Sequence, residues 1–290
     1  MSRIIVALLW LLHWLPLSVQ ASIGRGLGLL LYGIIFPRRR VVLTNLRLCF
    51  PELSDGGRRQ LAKEHFALAG RSLIERGLAW FAPEARIRRL VRVEGEAMLQ
   101  KLIDDGQPVI LLTPHFLGLD LGGTRLAASF DCVSIYARQK DPVIDHWLLH
   151  GRSRFGSQIL LRRDESIRAS IKAMKDCRPF YYLPDMDNGP NESVFVPFFG
   201  VQAATLAALP RFARLGGAVV VPCITRMRLG GQGYLVERSQ QRTDFPGDSV
   251  EGDARRMNAF LEERIRTMPA QYYWVHRRFK TRPPGEPKIY

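Results

Sequence analysis

One stretch of the chain sets a histidine and a carboxylate at a spacing suited to proton abstraction: Thr113-Pro114-His115-Phe116-Leu117-Gly118-Leu119-Asp120. Five steps along a regular helix turn a side chain by about 140°. His115 and Asp120 therefore meet only if His115 lies in a turn and Asp120 in the first turns of the next helix. Pro114 and Gly118 are consistent with such a break. In that geometry Asp120 accepts the imidazole N–H, sets the tautomer and steadies the imidazolium while His115 takes a proton from a hydroxyl. A positioned base contributes about 10²–10⁴-fold. Backbone N–H groups at the helix start would receive the oxyanion formed when a thioester carbonyl is attacked. A histidine near an aspartate is also an ordinary structural pairing, and spacing alone leaves that open.

Other candidate sites carry less. His146 and His150 have the i,i+4 spacing of two metal ligands but lack the glutamate of a zinc-protease helix, so no metal is expected. Gly151-Arg152-Ser153-Arg154-Phe155 misses the last glycine of a nucleophile elbow. Gly24, Gly26 and Gly28 are spaced like part of a dinucleotide loop, yet no strand precedes them, and helix packing explains them better. Asp185 and Asp187, in Leu183-Pro184-Asp185-Met186-Asp187-Asn188-Gly189, read either as a turn closed by Asx hydrogen bonds or as carboxylates on the cleft edge that holds His115.

These residues need a frame. Pro108–Thr113 is a compact apolar run, the pattern of a strand buried on both faces, and Cys132–Tyr136, Phe180–Leu183 and Ala218–Ile224 resemble it. Val91–Val93 reads as a further strand. Helical stretches fall at Ser54–Trp80, Glu96–Asp104, Val143–Phe155, Glu165–Lys175 and Ala204–Leu215. This alternation predicts an α/β fold with a largely parallel central sheet flanked by helices. His115 then sits where chain leaves a strand's carboxyl end, the usual place for ligand-facing groups.

Hydrophobic residues make up 47% and charged residues 24% of the 290-residue chain, which excludes wholesale disorder. Forty-two Lys and Arg against 27 Asp and Glu leave a net charge of +15, which favours polyanionic partners. No helix-turn-helix signature, paired zinc ligands or RNP-type strand appears, so nucleic acid is not expected among them. Cys49, Cys132, Cys177 and Cys223 are too dispersed for a disulfide framework or a zinc site and read as free thiols.

The amino terminus is apolar from Ile4 to Ile23 and again from Gly26 to Phe36, ending at Arg38-Arg39-Arg40. A cleaved signal and a buried core helix are alternatives. The basic cluster favours a membrane anchor over residues 1–36, with the 37–290 α/β domain on the cytoplasmic side. Pro16 bends the run, and its length is marginal for a full span.

Taken in order, six blocks closely resemble the late (secondary) acyltransferases of lipid A biosynthesis. They are Asn45–Glu52, His115-x4-Asp120, Arg152–Gly156, Pro184–Asp187, Ser193–Gly200 and Trp274–Pro283. The resemblance implies a glycerolipid-acyltransferase-like fold. It also implies transfer of an acyl chain from an acyl-carrier-protein thioester to a hydroxyl of a (Kdo)-lipid A precursor, at the inner membrane's cytoplasmic face, without metal or nucleotide cofactor. Arg152 and Asp185 match residues the family needs, Arg152 for oxyanion or phosphate contact and Asp185 for shaping the site. Two departures stand out. Many members carry Glu where this chain has Asp120, and the usual Gly-Asn-Trp after the histidine is replaced by Leu117-Gly118-Leu119. A basic binding module and a thioesterase using the same dyad are the competing readings.

Overall fold

The computed structural model describes residues 1–162, 166–239, 242 and 245–290. Among the described residues the strands are β1 (Val91–Val93), β2 (Val109–Leu112), β3 (Val133–Tyr136), β4 (Ile159–Arg162), β5 (Phe180–Tyr182), β6 (Ser193–Phe198), β7 (Val201–Leu206), β8 (Val219–Met227) and β9 (Tyr234–Arg238). Seven of them make one sheet in the order β1-β9-β8-β2-β5-β3-β4, while β6 and β7 pair as a separate hairpin. Every pairing in the large sheet is parallel except β8 with β9. The expected parallel α/β sheet is thus present, with one antiparallel junction.

The helices are α1 (Ser2–Leu12), α2 (Leu17–Ile34), α3 (Phe36–Cys49), α4 (Asp55–Phe81), α5 (Glu84–Leu90), α6 (Glu96–Asp104), α7 (Leu119–Ala127), α8 (Pro142–Ser153), α9 (Ser166–Lys175), α10 (Ala208–Gly216) and α11 (Val250–Thr267). Ser54 caps α4, its Oγ accepting from the Gly57 N–H, and Asp141 caps α8. The helix expected over Ala204–Leu215 is shorter at its start, because Ala204–Leu206 pair with Ser193–Phe195 in the hairpin. Glu165, the expected start of α9, lies outside the described residues.

Period-two alternation divides β2 between two cores. Ile110 and Leu112 pack with Phe180, Leu46, Met174 and Phe212 on the face covered by α3, α9, α10 and α11. Val109 and Leu111 pack with Leu78, Leu121 and Leu126 on the face covered by α4 and α7. A strand buried on both faces needs an unbroken apolar run, which Val109–Leu112 supplies.

The amino-terminal run breaks at Pro16 into α1 and α2, and α2 lies along α4. A Cβ at Gly28 would come within 1.9 Å of the Phe66 carbonyl oxygen, and one at Gly70 within 2.3 Å of the Gly24 oxygen. Only hydrogen fits at that seam. The opposite side of the pair carries exposed Ile4, Leu8, Leu11, Trp14, Ile23 and Leu30. Among the described residues no single helix is long and apolar enough to cross a membrane, although α2 and α3 reach that length together across a 94° bend.

Arginines do more here than confer charge. Arg86 donates to the carbonyls of His13 and Leu15 after α1, Arg154 to those of Leu78, Ala79 and Ala82 at the end of α4, and Arg88 to that of Ala128 after α7. The carbonyls that end a helix lack intrahelical partners and carry partial negative charge, so a guanidinium stabilises them. Part of the basic surplus is therefore structural.

Candidate active site

His115 follows β2 by three residues, and its neighbour is dictated by register. Leu112 pairs with Tyr182 of β5, and Thr113 continues the ladder by donating from its N–H and its Oγ to the Tyr182 carbonyl. Both chains then leave the sheet side by side, which brings His115 to Asp185. The imidazole Nδ1–H donates to Asp185 Oδ1 at 2.6 Å, and the His115 backbone N–H donates to Oδ2 at 2.9 Å. One carboxylate thus fixes both the ring's rotation and its tautomer, leaving Nε2 as the proton-accepting atom.

Burial alone would raise the Asp185 carboxyl pKa, but the facing imidazole and its two hydrogen bonds outweigh that and hold it below the ordinary carboxylate value. The buried Tyr272 phenol lies against the same carboxylate, and burial together with that negative neighbour pushes its pKa well up.

Here the structure corrects the sequence. The carboxylate that takes the imidazole N–H is Asp185, not Asp120. His115 is in a turn and Asp120 in the first turn of α7, as expected, but the Asp120 side chain is claimed by two guanidiniums. Arg76 of α4 lies 3.0 Å from Asp120 Oδ2, and Arg152 of α8 lies 3.7 Å from Oδ1. Burial pushes Asp120 up, yet Arg76 and Arg152 win and keep its pKa low. The nearby His115 ring adds a smaller lowering without a hydrogen bond to it.

The backbone at the turn is clamped from the other side. The His115 carbonyl accepts from the Tyr273 N–H, the Leu117 N–H donates to the Gln271 carbonyl, and the Leu117 carbonyl accepts from Ser72 Oγ. The N–H groups of Leu117 and Leu119 are thereby engaged, with the Gln271 and Phe116 carbonyls, and the positive charge of Arg76 and Arg152 stands close by, against Asp120.

Neither carboxylate of the Asp185–Asp187 segment lines the cavity. Asp185 is fully buried and holds His115 from behind. Asp187 forms the Asx turn, its Oδ1 accepting from the Gly189 N–H and from Thr281 Oγ1, and its Oδ2 accepting from the Thr281 N–H. Its own N–H donates to His276 Nε2. Burial holds the His276 pKa down at about 4, so that acceptor is neutral. Asp187 is buried and braces the loop that carries Asp185 without reaching the cavity.

His115, Asp120, Arg76 and Arg152 line one cavity of about 1020 Å³ whose walls include Leu117, Leu119, Leu148, Leu149, Tyr181 and Leu206. Charged groups over apolar walls suit an amphipathic molecule with a long hydrocarbon part. His146 and His150 lie on α8 outside any trio of potential ligands, and among the described residues no group of three His, Cys, Asp or Glu could hold a metal ion. Gly151 is explained by packing, since a Cβ there would meet the Trp80 ring at 2.6 Å. All four cysteines are free. Sequence reading missed Arg76 and Ser72, whose helix is tied to the site only by the fold.

A helix-covered sheet with a braced imidazole at its carboxyl edge, opening on an apolar cavity that also holds two arginines, defines an enzyme suited to chemistry on lipids. Comparison with known proteins makes this specific: the chain belongs to the bacterial lipid A biosynthesis acyltransferase family, whose profile matches residues 2–281. It is 38% identical to the lipid A biosynthesis lauroyltransferase of Escherichia coli K12 over 98% of this chain and 93% of that one. Its identity to that organism's palmitoleoyltransferase is 31%, over 98% and 92%. Identity to its myristoyltransferase is 34%, over 87% and 78%. The chain is an acyltransferase of lipid A biosynthesis.

Proposed function

We propose that the chain transfers a fatty acyl group from an acyl-carrier-protein thioester to a hydroxyl of a (Kdo)-lipid A precursor, forming an acyloxyacyl ester at the cytoplasmic face of the inner membrane. The observation that carries this reading is the His115–Asp185 pair at the mouth of an apolar cavity. His115 Nε2 takes the proton of the acceptor hydroxyl as its oxygen attacks the thioester carbonyl. The carbonyl oxygen becomes an oxyanion facing Arg76 and Arg152, the C–S bond breaks, and Nε2 returns the proton to the departing thiolate. Asp185 keeps the ring oriented throughout. Asp120 holds the two guanidiniums in place.

The exposed apolar side of α1 and α2, with exposed Arg38 and Arg40 at its border, supports attachment to an anionic bilayer by partial insertion. An acceptor already resident in the membrane would then reach the cavity without leaving it.

Purified full-length protein given an acyl-labelled carrier thioester and a lipid A precursor should yield labelled ester, and His115→Ala should abolish it. Equal turnover by that variant would refute the mechanism, and free fatty acid as the sole product would favour a thioesterase.

A further inference from the structure

The lining of the cavity divides into two arms by origin, one set of residues from the helices on each face of the sheet, with His115 also in the wall. On the face shared by α7 and α8, the wall is Gly123, Thr124, Ala127, Leu148, Ser134 and Tyr181. Each of these residues is buried or half-buried, so that arm is enclosed. The other arm, towards α9 and α10, is bordered by Ile167 and Leu215, which are 52% and 57% exposed, and by the exposed Arg168 and Arg211. A hydrocarbon tail gains most where its wall excludes water. The enclosed arm suits the donor's tail, and the open arm, with two guanidiniums that make no ion pair among the described residues, suits a charged acceptor.

The enclosed arm follows α7 from Asp120 down to Ala127, which at about 1.5 Å per residue is roughly 10 Å. At its base Cys132 and Gln158 join the wall. The Gln158 amide is saturated there. Its Oε1 accepts from the Cys132 N–H at 3.0 Å, and its Nε2 donates to the carbonyls of Phe130 and Phe155, both at 3.0 Å, and of Ala127 at 3.2 Å. A side chain tied to the end of α7, the start of β3 and the loop after α8 cannot swing aside as a free glutamine would.

We propose that Gln158 is the floor of the acyl-tail arm and sets the longest donor chain accepted. This rests on the acyl-transfer reading above. A longer tail would have to break a saturated amide network or leave its thioester carbonyl short of His115. A shorter tail would leave apolar wall unfilled.

Donor competition with carrier thioesters from octanoyl to palmitoyl tests this in the full-length protein. Gln158→Ala should extend the accepted range, raising kcat/KM for the longest donors about tenfold relative to the wild type's preferred one. Since that change strips partners from four backbone groups, Gly123→Leu supplies the opposite test in a sound fold. The atoms nearest a Cβ at Gly123 belong to the Tyr181 side chain, at an ordinary 3.5 Å, and the larger side chain fills the arm. It should move the optimum to shorter donors. An unchanged length profile in Gly123→Leu overturns the proposal, as does a shift produced by Leu215→Trp in the open arm instead. If the wild type transfers no acyl group at all, it is the enzymatic reading that fails, and the two failures are thereby distinct.

Discussion

His115 and Asp185 stand 70 residues apart in sequence and 2.6 Å apart in space. The link is the parallel register of β2 with β5, which sends two chain ends off the sheet in step. Because Asp185 grips the ring nitrogen and the backbone N–H of the same residue, any movement of its loop is felt directly by the imidazole. The loop is in turn tied through Asp187 to Thr281 and His276, so the carboxyl-terminal segment braces His115 through a carboxylate two residues beyond Asp185.

Asp185→Asn should therefore mimic loss of the base. An amide at this position can offer its N–H₂ to Nδ1 and favour the tautomer in which Nε2 is protonated and useless. We expect kcat to fall by about 10²–10⁴ with KM little changed, and steady-state kinetics with varied acceptor checks the split. A loss expressed wholly in KM would mean that Asp185 binds substrate instead.

Asp120 should behave differently from Asp185. Its neighbours are Arg76 and Arg152, so Asp120→Ala and Arg152→Ala remove parts of one charge cluster and their effects on kcat should not add. A double-mutant cycle is expected to show a coupling of about 0.5–3 kcal/mol. The same cycle between Asp120→Ala and Asp185→Asn should give a smaller coupling. Strict additivity within the arginine cluster would dissolve the role assigned to Asp120.

Much of this architecture is visible in sequence because its signals are local. The apolar run at Val109–Leu112 announces a strand covered on both faces, and Pro114 followed by Gly118 announces the turn that places His115 outside the helix. What stays hidden is anything decided by pairing. Asp120 is the nearest carboxylate along the chain, whereas strand register selects Asp185. Arg76 reaches the site only because α4 crosses α7 and α8. The hairpin of β6 and β7 is missed for a related reason: Ala203-Ala204-Thr205-Leu206 has little β-branched character, and its strand state comes from the partner Ser193–Val196.

The glycines of α2 offer a test of packing alone. Gly28→Ala places a methyl group against the Phe66 carbonyl and should destabilise the protein by about 1–3 kcal/mol as α2 is forced off α4. A Cβ at Gly26 would have no neighbour within 4 Å, so Gly26→Ala should be neutral or stabilising by up to about 1 kcal/mol through helix propensity. Chemical denaturation of the two variants measures the contrast. Equal effects would show that α2 does not lie on α4 by this seam.

Attachment to the bilayer should depend on the outer side of α1. Leu8→Glu combined with Leu11→Glu places two carboxylates among exposed apolar residues without touching buried Val6 or Leu9. Flotation with vesicles containing anionic lipid should show binding lost, with the melting temperature nearly unchanged. Undiminished flotation would shift attachment away from α1.

Stability should fall in two acid stages. His65 is fully buried, its Nδ1–H donates to the Ala270 carbonyl, and burial lowers its pKa from 6.5 to about 4. Between pH 6.5 and 4 the unfolded chain binds a proton that the folded chain refuses, so stability declines as pH drops, by about 3 kcal/mol across the window for this residue. His276, with its pKa also near 4, adds to the same stage. Asp185 acts later, because its folded pKa lies below 3.8. Its contribution is complete above that value and disappears as pH falls through the lowered one. His65→Asn retains an N–H for Ala270 but cannot titrate, so it should reduce the slope between pH 6.5 and 4 to the part due to His276 and leave the lower stage intact, while Asp185→Asn should do the reverse. Urea titrations in buffers spanning both ranges distinguish the two, and a single slope unaltered by either substitution would mean that neither group carries the pH dependence.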